Sequence, residues 1–287
     1  MCILYNMSHG AAMTKQATLQ TGPRAIPKAA KPKLRHRTAR AISALIIREM
    51  TTTYGRSPGG YIWTVAQPVA LILVLSLAFS LMLRSPPLGT NFTLFYATGL
   101  LPLRMFQALS SNVGGALQFS KPLLGYPRVT FIDAIAGRAI LTVLTQFVVS
   151  AIILGVINLW SHSSDTVTFE RIFESYMLAI ILGIGIGTLN CFLFTLLPVW
   201  RLIWGVTTGP LVLLSAIFYL YEDVPLFAQN ILWYNPLVHV TGLARAGFFS
   251  TYNPSYISAP FVLTCALVPA FFGVLMLRKY GRSILYL

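Results

Sequence analysis

The sequence predicts an all-α membrane protein with six transmembrane helices, an N-terminal amphipathic interfacial helix and an outer re-entrant element between helices five and six. Three observations predict this fold. Of the 287 residues, 56% are hydrophobic and only 10% are charged, whereas a soluble domain carries about 25% charged residues. The apolar residues form blocks of about 20 residues, the length that a helix needs to span hydrocarbon. The basic residues lie mainly in the connecting segments that would face the cytoplasm, as the positive-inside rule requires.

The chain begins with a polar and basic stretch, residues 1–37, which contains Pro23, Pro27 and Pro32. This composition predicts a disordered basic cytoplasmic tail. The transmembrane domain then occupies residues 38–287. Basic charge beside membrane spans is explained by orientation and by attraction to anionic lipid, so the net charge of +14 does not by itself indicate nucleic-acid binding.

The first element of the domain is a predicted interfacial helix at residues 38–56. Apolar side chains recur on one side of it at steps of three and four residues, and polar ones lie on the other side. The apolar positions are Ile42, Leu45, Ile46, Met50 and Tyr54. A helix with one apolar face lies in the plane of the membrane surface, rather than crossing the bilayer.

Six spans follow, and a polar, aromatic-rich segment separates the last two. The predicted spans lie near residues 61–83, 92–113, 132–158, 175–197, 202–221 and 257–277. The segment Glu222–Tyr256 is too polar and too rich in proline to span, so we predict a re-entrant element that packs against other helices.

The distribution of charge predicts the orientation of the domain. With the N-terminus inside, seventeen of the 21 basic residues lie in cytoplasmic segments or at their helix ends, and five of the seven acids lie outside. Both termini are then cytoplasmic, which requires an even number of spans.

The sequence also lacks several kinds of catalytic motif. No lysine follows a glycine, so no phosphate-binding loop is present and an ATPase would be a separate chain. The histidines and cysteines are scattered, which gives no metal site. The run "GIGIG" lies inside a span, where Gly183 and Gly187 predict close helix packing rather than a nucleotide site.

Three stretches resemble one known family in their order and spacing. They are "REMTTTYGRSPGGYIWTVAQP" (Arg48–Pro68), "GLLPLRMFQALSSNV" (Gly99–Val113) and "YNPLVHVTGLARAGFF" (Tyr234–Phe249). These motifs resemble the ABC-2-type polysaccharide export permeases, most closely those that export capsular polysaccharide. The similarity covers about residues 38–280. Arg104 departs from the family pattern, which has an aromatic or small polar residue at this position.

The resemblance implies a transport permease, not an enzyme, in the bacterial inner membrane. The family implies a homodimer with two cytoplasmic ATPase subunits, a periplasmic adaptor and a lipid-linked polysaccharide as cargo. No cofactor would bind this chain, and ATP and Mg would bind the partner ATPase. Alternatives are an O-antigen or teichoic-acid exporter, a membrane enzyme acting on lipid-linked sugars, and an ion-coupled secondary transporter.

Two elements are predicted to couple the domain to the ATPase, because each protrudes into the cytoplasm and continues into a span. They are the interfacial helix and the loop after the second span. Their candidate coupling residues are Arg48, Glu49, Tyr54, Arg56, Lys121, Pro122, Leu124, Tyr126 and Arg128. The alternative is that these residues only anchor the chain at the lipid surface.

A second set of residues is predicted to line the substrate path. Arg104 lies near the middle of the second span, where a charge is costly unless it faces protein or water. The candidates are Arg104, Tyr219, Tyr221, Trp233, Tyr234, His239 and Arg245. The aromatic residues would also fit an interfacial belt, and His239 and Arg245 would also fit a role in holding the backbone of the re-entrant element. Arg138 is predicted to pair with Asp133.

Overall fold

The computed structural model describes residues 37–53, 60–124, 130–160 and 167–285. The described residues are almost entirely helical and contain no strand, which confirms the predicted all-α class. The helices are α1 (Arg37–Thr53), α2 (Gly60–Met82), α3 (Phe92–Gly114), α4 (Ala116–Leu124), α5 (Phe131–Trp160), α6 (Phe169–Leu196), α7 (Pro198–Thr208), α8 (Leu211–Leu214), α9 (Leu226–Leu232), α10 (Pro236–Phe248) and α11 (Ala259–Leu285).

Four of these helices are long and apolar enough to cross a membrane: α2, α5, α6 and α11. Helix α3 is as long as α2, but it carries Arg104 and several polar residues along its second half. The residues predicted as the fifth span, 202–221, do not form one helix. They divide between α7, α8 and a non-helical stretch that follows Leu214, so the predicted count of six spans is not confirmed.

Helices α3 and α6 form the centre of the domain. On α3, residues 94–103 are all buried, and Phe95, Leu100 and Leu103 are completely inaccessible. Helix α6 contacts α3 on one side and α11 on another, and α10 packs against both α3 and α6. By contrast, α2 buries few of its residues and α7 buries none, so they lie at the edge of this packed centre.

The glycines of α6 explain why three helices can pack so closely. A Cβ atom at Gly183 or Gly187 would lie 2.7 Å or 2.8 Å from the Cβ of Leu109 or Val113 on α3. A Cβ atom at Gly185 would instead collide with the backbone carbonyl of Ala266 on α11. The predicted packing role of Gly183 and Gly187 is therefore confirmed, and small residues serve two faces of one helix.

The close approach at Gly185 gives a stability prediction. Gly185→Ala should destabilise the protein by about 1–3 kcal/mol, because the added methyl group meets backbone that cannot rotate away. Thermal unfolding in detergent measures the effect. The matched control is Gly155→Ala, since a Cβ at Gly155 meets nothing within 4 Å. Equal unfolding temperatures for the two variants would contradict the packing argument.

Candidate functional site

The non-helical stretch after α8 is held by one arginine from α10. Arg245 donates from Nη1 to the carbonyl oxygens of Ala216 and Tyr219, at 2.7 Å and 3.0 Å, and from Nη2 to that of Ile217, at 2.7 Å. Its side chain is only 1% exposed. Backbone that leaves a helix inside a membrane protein needs such partners, because lipid offers none. Arg245 therefore holds the backbone, which is the second of the two roles considered for it.

The surroundings of Arg245 explain how a charge is tolerated in this position. Its guanidinium lies 4.0 Å from the ring centroid of Phe95, close enough for a cation–π interaction. A side chain at Gly99 would approach Nη2 to 3.2 Å, so α3 leaves room for the guanidinium there. Ala216 has φ 55°, a conformation that costs a non-glycine residue about 1–2 kcal/mol. The hydrogen bonds of Arg245 offset this strain.

His239 joins α10 to the segments on either side of it. The backbone N–H of Ser258 donates to Nδ1 at 3.2 Å, and Nε2 lies 2.9 Å from the carbonyl oxygen of Trp233. These contacts require a neutral imidazole with its proton on Nε2, because Nδ1 accepts a hydrogen bond. Both ring nitrogens are thus occupied, and the side chain is completely buried.

The four aromatic residues predicted to line the path fall into two pairs. Tyr221 is buried and stacks on Tyr256 with ring centroids 4.1 Å apart, while Trp233 donates to the carbonyl oxygen of Tyr256. Tyr219 is half-buried, and Tyr234 is 72% exposed. The first pair therefore stabilises the segment between α8 and α11, and the second pair is available to a ligand or to lipid.

A phenol–carboxylate contact fastens the end of this segment. Tyr252 donates from its hydroxyl to Glu222, with distances of 3.0 Å and 3.2 Å to the two carboxylate oxygens. Burial raises the pKa of Tyr252 well above its usual range, and burial also raises the pKa of Tyr256 to about 12. Like an ordinary tyrosine, each phenol keeps its proton at neutral pH, and Tyr252 donates that proton to Glu222.

Arg104 lines a polar cavity of about 600 Å³ between α2, α3, α5 and α7. The walls are unusually polar for helices of this composition. They comprise Trp63, Thr64, Gln67, Pro68, Arg104, Gln107, Ala108, Ser111, Gln146, Gly205, Thr208, Gly209 and Val212. The cavity lies at the edge of the helical bundle rather than in its packed centre, because two of its walls, α2 and α7, are lightly packed. Among the residues predicted for the substrate path, Arg104 is the one that the cavity contains.

The two predicted coupling elements meet in a charged junction. Glu49 of α1 accepts a hydrogen bond from Nε of Arg138 on α5, with an N–O distance of 2.6 Å. The ring of Phe119 on α4 contacts two guanidinium groups, with centroid distances of 4.4 Å to that of Arg138 and 5.6 Å to that of Arg48. Helices α1, α4 and α5 are thereby joined at one point. We call Arg48, Glu49, Phe119 and Arg138 the coupling junction.

One pairing at this junction differs from the prediction. Arg138 pairs with Glu49, and the expected pair with Asp133 is wrong. Asp133 instead accepts hydrogen bonds from the backbone and the hydroxyl of Thr130, at 3.0 Å and 2.8 Å, and so stabilises the start of α5. A carboxylate in the first turn also interacts favourably with the helix dipole. The sequence could not indicate Glu49 as the partner, because it is 89 residues away.

The remaining coupling candidates are only partly described. Lys121 and Pro122 are exposed on α4, and Leu124 is the last residue of that helix. The other candidates, Tyr54, Arg56, Tyr126 and Arg128, lie outside the described residues. Sequence reasoning missed Phe119 at the junction and the glutamines of the cavity. Uncharged polar residues inside apolar spans, such as Gln67 and Gln146, were the available signal for the cavity.

These features define a helical membrane protein with a polar cavity beside a packed core, and comparison with known proteins gives its family. The model of the ABC-2 type transporter family matches residues 40–249, so the chain belongs to this family. It is 27% identical over 244 residues to "Polysialic acid transport protein KpsM" of Escherichia coli. The match covers 85% of this chain and 95% of that relative.

Two further relatives carry names that refer to capsule export. The chain is 26% identical to "Capsule polysaccharide export inner-membrane protein CtrC" of Neisseria meningitidis serogroup B, over 85% of this chain and 92% of the relative. It is 24% identical to "Capsule polysaccharide export inner-membrane protein BexB" of Haemophilus influenzae, with the same two coverages. The similarity therefore extends over nearly the whole length of each relative.

The contacts of Arg245 give a second stability prediction. Arg245→Met should destabilise the protein by about 3 kcal/mol or more, because it leaves three carbonyl oxygens without donors, two of them buried, and each buried one costs about 1–3 kcal/mol. Thermal unfolding of the purified protein measures this loss. Arg171→Met is the control, since Arg171 makes a single exposed hydrogen bond, to Asn253. If both variants unfolded at the same temperature, the supporting role of Arg245 would be refuted.

Proposed function

We propose that this chain is the transmembrane permease subunit of an ATP-binding-cassette exporter that moves lipid-linked capsular polysaccharide across the bacterial inner membrane. The observation that carries the proposal is the match, over at least 92% of their lengths, to two proteins named for capsule polysaccharide export and one named for polysialic acid transport. Each match extends over at least 244 residues of this chain, so the similarity is not confined to one short module. The polar cavity beside Arg104 is compatible with a hydrophilic cargo in an otherwise apolar domain.

The proposal includes partners that supply the energy and complete the path. Two copies of the permease would form a homodimer with two cytoplasmic ATPase subunits, which would bind ATP and Mg, and a periplasmic adaptor would receive the polymer. The lightly packed α2 and α7 support a homodimer, because their exposed apolar side chains suit contact with a second copy or with lipid. The excess of basic residues near the termini supports a cytoplasmic location for both ends.

Within this assembly, the coupling junction would transmit motion from the ATPase to the spans. Lys121 and Pro122 are exposed on α4, where a partner could dock. Phe119 lies on the same helix and contacts the guanidinium groups of Arg48 on α1 and Arg138 on α5. A push on α4 would therefore act on α1 and α5 together. Tyr219 and Tyr234 are the aromatic residues that could contact the passing sugar rings.

The function is tested by deleting the gene and separating surface polysaccharide from polysaccharide inside the cell. We expect capsule-type polymer to accumulate inside, with the O-chains of lipopolysaccharide intact, and the wild-type gene to restore export. Loss of O-chains alone would move the assignment to an O-antigen exporter. An absence of trapped polymer of any kind would refute the exporter proposal.

The coupling role gives a separate prediction for the Glu49–Arg138 pair. Glu49→Gln and Arg138→Gln should leave the permease bound to its ATPase but lower export at least severalfold, because the joint between α1 and α5 loses its ion pair. The exchanged double variant, Glu49→Arg with Arg138→Glu, should recover part of the export. Co-purification with the ATPase and surface polysaccharide are the two readouts.

The outcomes separate coupling from stability. Thr130→Ala is the control, since it weakens the neighbouring start of α5 without touching the ion pair. Single variants that export normally would contradict the coupling role. If the exchanged double variant exported no more polysaccharide than the single variants, restoring the charge pair would not be sufficient for export. That result would count against transmission of motion through this contact.

A further inference from the structure

The cavity beside Arg104 contains a positive charge that the protein itself does not neutralise. Within the described residues, Arg104 forms no ion pair or hydrogen bond, and its Nε atom is buried without a partner. A charged side chain in the middle of a span costs at least about 2.5 kcal/mol, and such residues are normally paired. Arg245 and Arg138 follow that rule, because Arg245 donates to three carbonyl oxygens and Arg138 forms an ion pair with Glu49. Arg104 is half-buried and has neither kind of partner among the described residues.

The neighbours of Arg104 supply hydrogen-bonding groups of both kinds. Gln67 and Gln146 form no hydrogen bond with other described residues, so each offers an amide donor and an amide acceptor. Gln107 uses its amide nitrogen to donate to the carbonyl oxygen of Thr208 at 2.9 Å, and its amide oxygen stays free to accept. Ser111 adds a hydroxyl at the wall of the cavity.

This combination is specific in chemical terms. A guanidinium binds a carboxylate or a phosphate oxygen pair through two parallel hydrogen bonds. Amides that both donate and accept suit sugar hydroxyls, which also do both. Trp63, which is 67% exposed, contributes an aromatic face at the rim. A site for a small anion alone would be expected to carry more positive charge. A site for a neutral sugar would not need an arginine.

We infer that this cavity is a recognition site for an oxyanion flanked by hydroxyl groups, with Arg104 binding the anion and the three glutamines binding the hydroxyls. The inference rests on the proposed function and deepens it. The anion comes either from carboxylates along the polymer or from the phosphate of its lipid linker. The cavity of about 600 Å³ accommodates a few sugar units of either type.

The test uses the full-length permease with its ATPase subunits in lipid nanodiscs and three oligosaccharide probes. The first carries a carboxylate on each sugar, the second is the same oligosaccharide with its carboxyl groups reduced to alcohols, and the third adds one terminal phosphate to the neutral form. Calorimetric titration measures the dissociation constants. We expect at least one charged probe to bind about tenfold or more tighter than the neutral probe.

The charged probe that binds more tightly identifies the source of the anion. Arg104→Gln should abolish the preference for this probe while leaving the affinity for the neutral probe unchanged, and Arg104→Lys should retain part of it. Equal affinity for all three probes would overturn the inference. So would an Arg104→Gln variant that weakens charged and neutral probes by the same factor, because the loss would then be structural.

Two glycines provide a test of location that does not alter charge. A Cβ at Gly205 meets nothing within 4 Å, and Gly205 lines the cavity, so Gly205→Leu should fill it and weaken binding of the preferred probe at least tenfold. Gly155→Leu is the control, since Gly155 also faces open space but lines a different cavity. Unchanged binding by Gly205→Leu would exclude this cavity as the binding site.

The two proposals can fail separately. If polymer is trapped in the deletion strain but the permease in nanodiscs binds charged and neutral probes equally, this inference is overturned and the proposed function stands.

Discussion

The described part of the domain depends on the buried guanidinium of Arg245. Its hydrogen bonds allow the backbone to leave the helical path after α8 without placing unsatisfied carbonyl oxygens inside the protein. The turn that results brings Tyr221 against Tyr256 and places Trp233 beside His239. Without it, a stretch as apolar as residues 211–220 would be most stable as a continued helix, since lipid cannot bind free backbone groups.

Three arginines on the described helices, Arg104, Arg138 and Arg245, show how one residue type serves different purposes according to its partners. Arg245 binds carbonyl oxygens and an aromatic face, and it fixes a backbone conformation. Arg138 binds a carboxylate from another helix and connects α1 to α5. Arg104 has none of these partners and faces a cavity. The energetic cost of burying a charge is met internally in the first two cases, whereas in the third it is left to whatever enters the cavity.

Much of the fold could be predicted from the sequence, because helix length and hydropathy depend on local composition. The start and end of α2, α3 and α5 agree with the predicted spans to within two residues. The fifth predicted span, residues 202–221, was different. Most of these residues are apolar, so hydropathy does not reveal the break in the helix. Gly209 and Pro210 were the local signal, but the break also depends on Arg245, which lies far along the chain.

The site could be predicted from the sequence only where a single residue, Arg104, indicated it. The position of Arg104 near the middle of a predicted span followed from counting, and its cost from physical principle. The glutamines that share its cavity come from three different helices, so no local pattern relates them. Likewise the partner of Arg138 could not be chosen between two acids until the position of α1 was known. Pairing between distant elements is set by tertiary packing, which periodicity does not describe.

The glycines of α6 have a consequence for how this domain can change shape. The glycines of α6 let the Cβ atoms of α3 and the backbone of α11 lie directly against its own backbone. Helices α3, α6 and α11 therefore cannot slide past one another without bringing atoms into collision. Helices α2 and α7 have few such contacts, and both border the cavity. The cavity is therefore bordered by two lightly packed helices, α2 and α7, as well as by α3 and α5. Opening it would require α2 or α7 to tilt, a motion that would disturb the packing of α2 on α3 but leave the packing among α3, α6 and α11 intact.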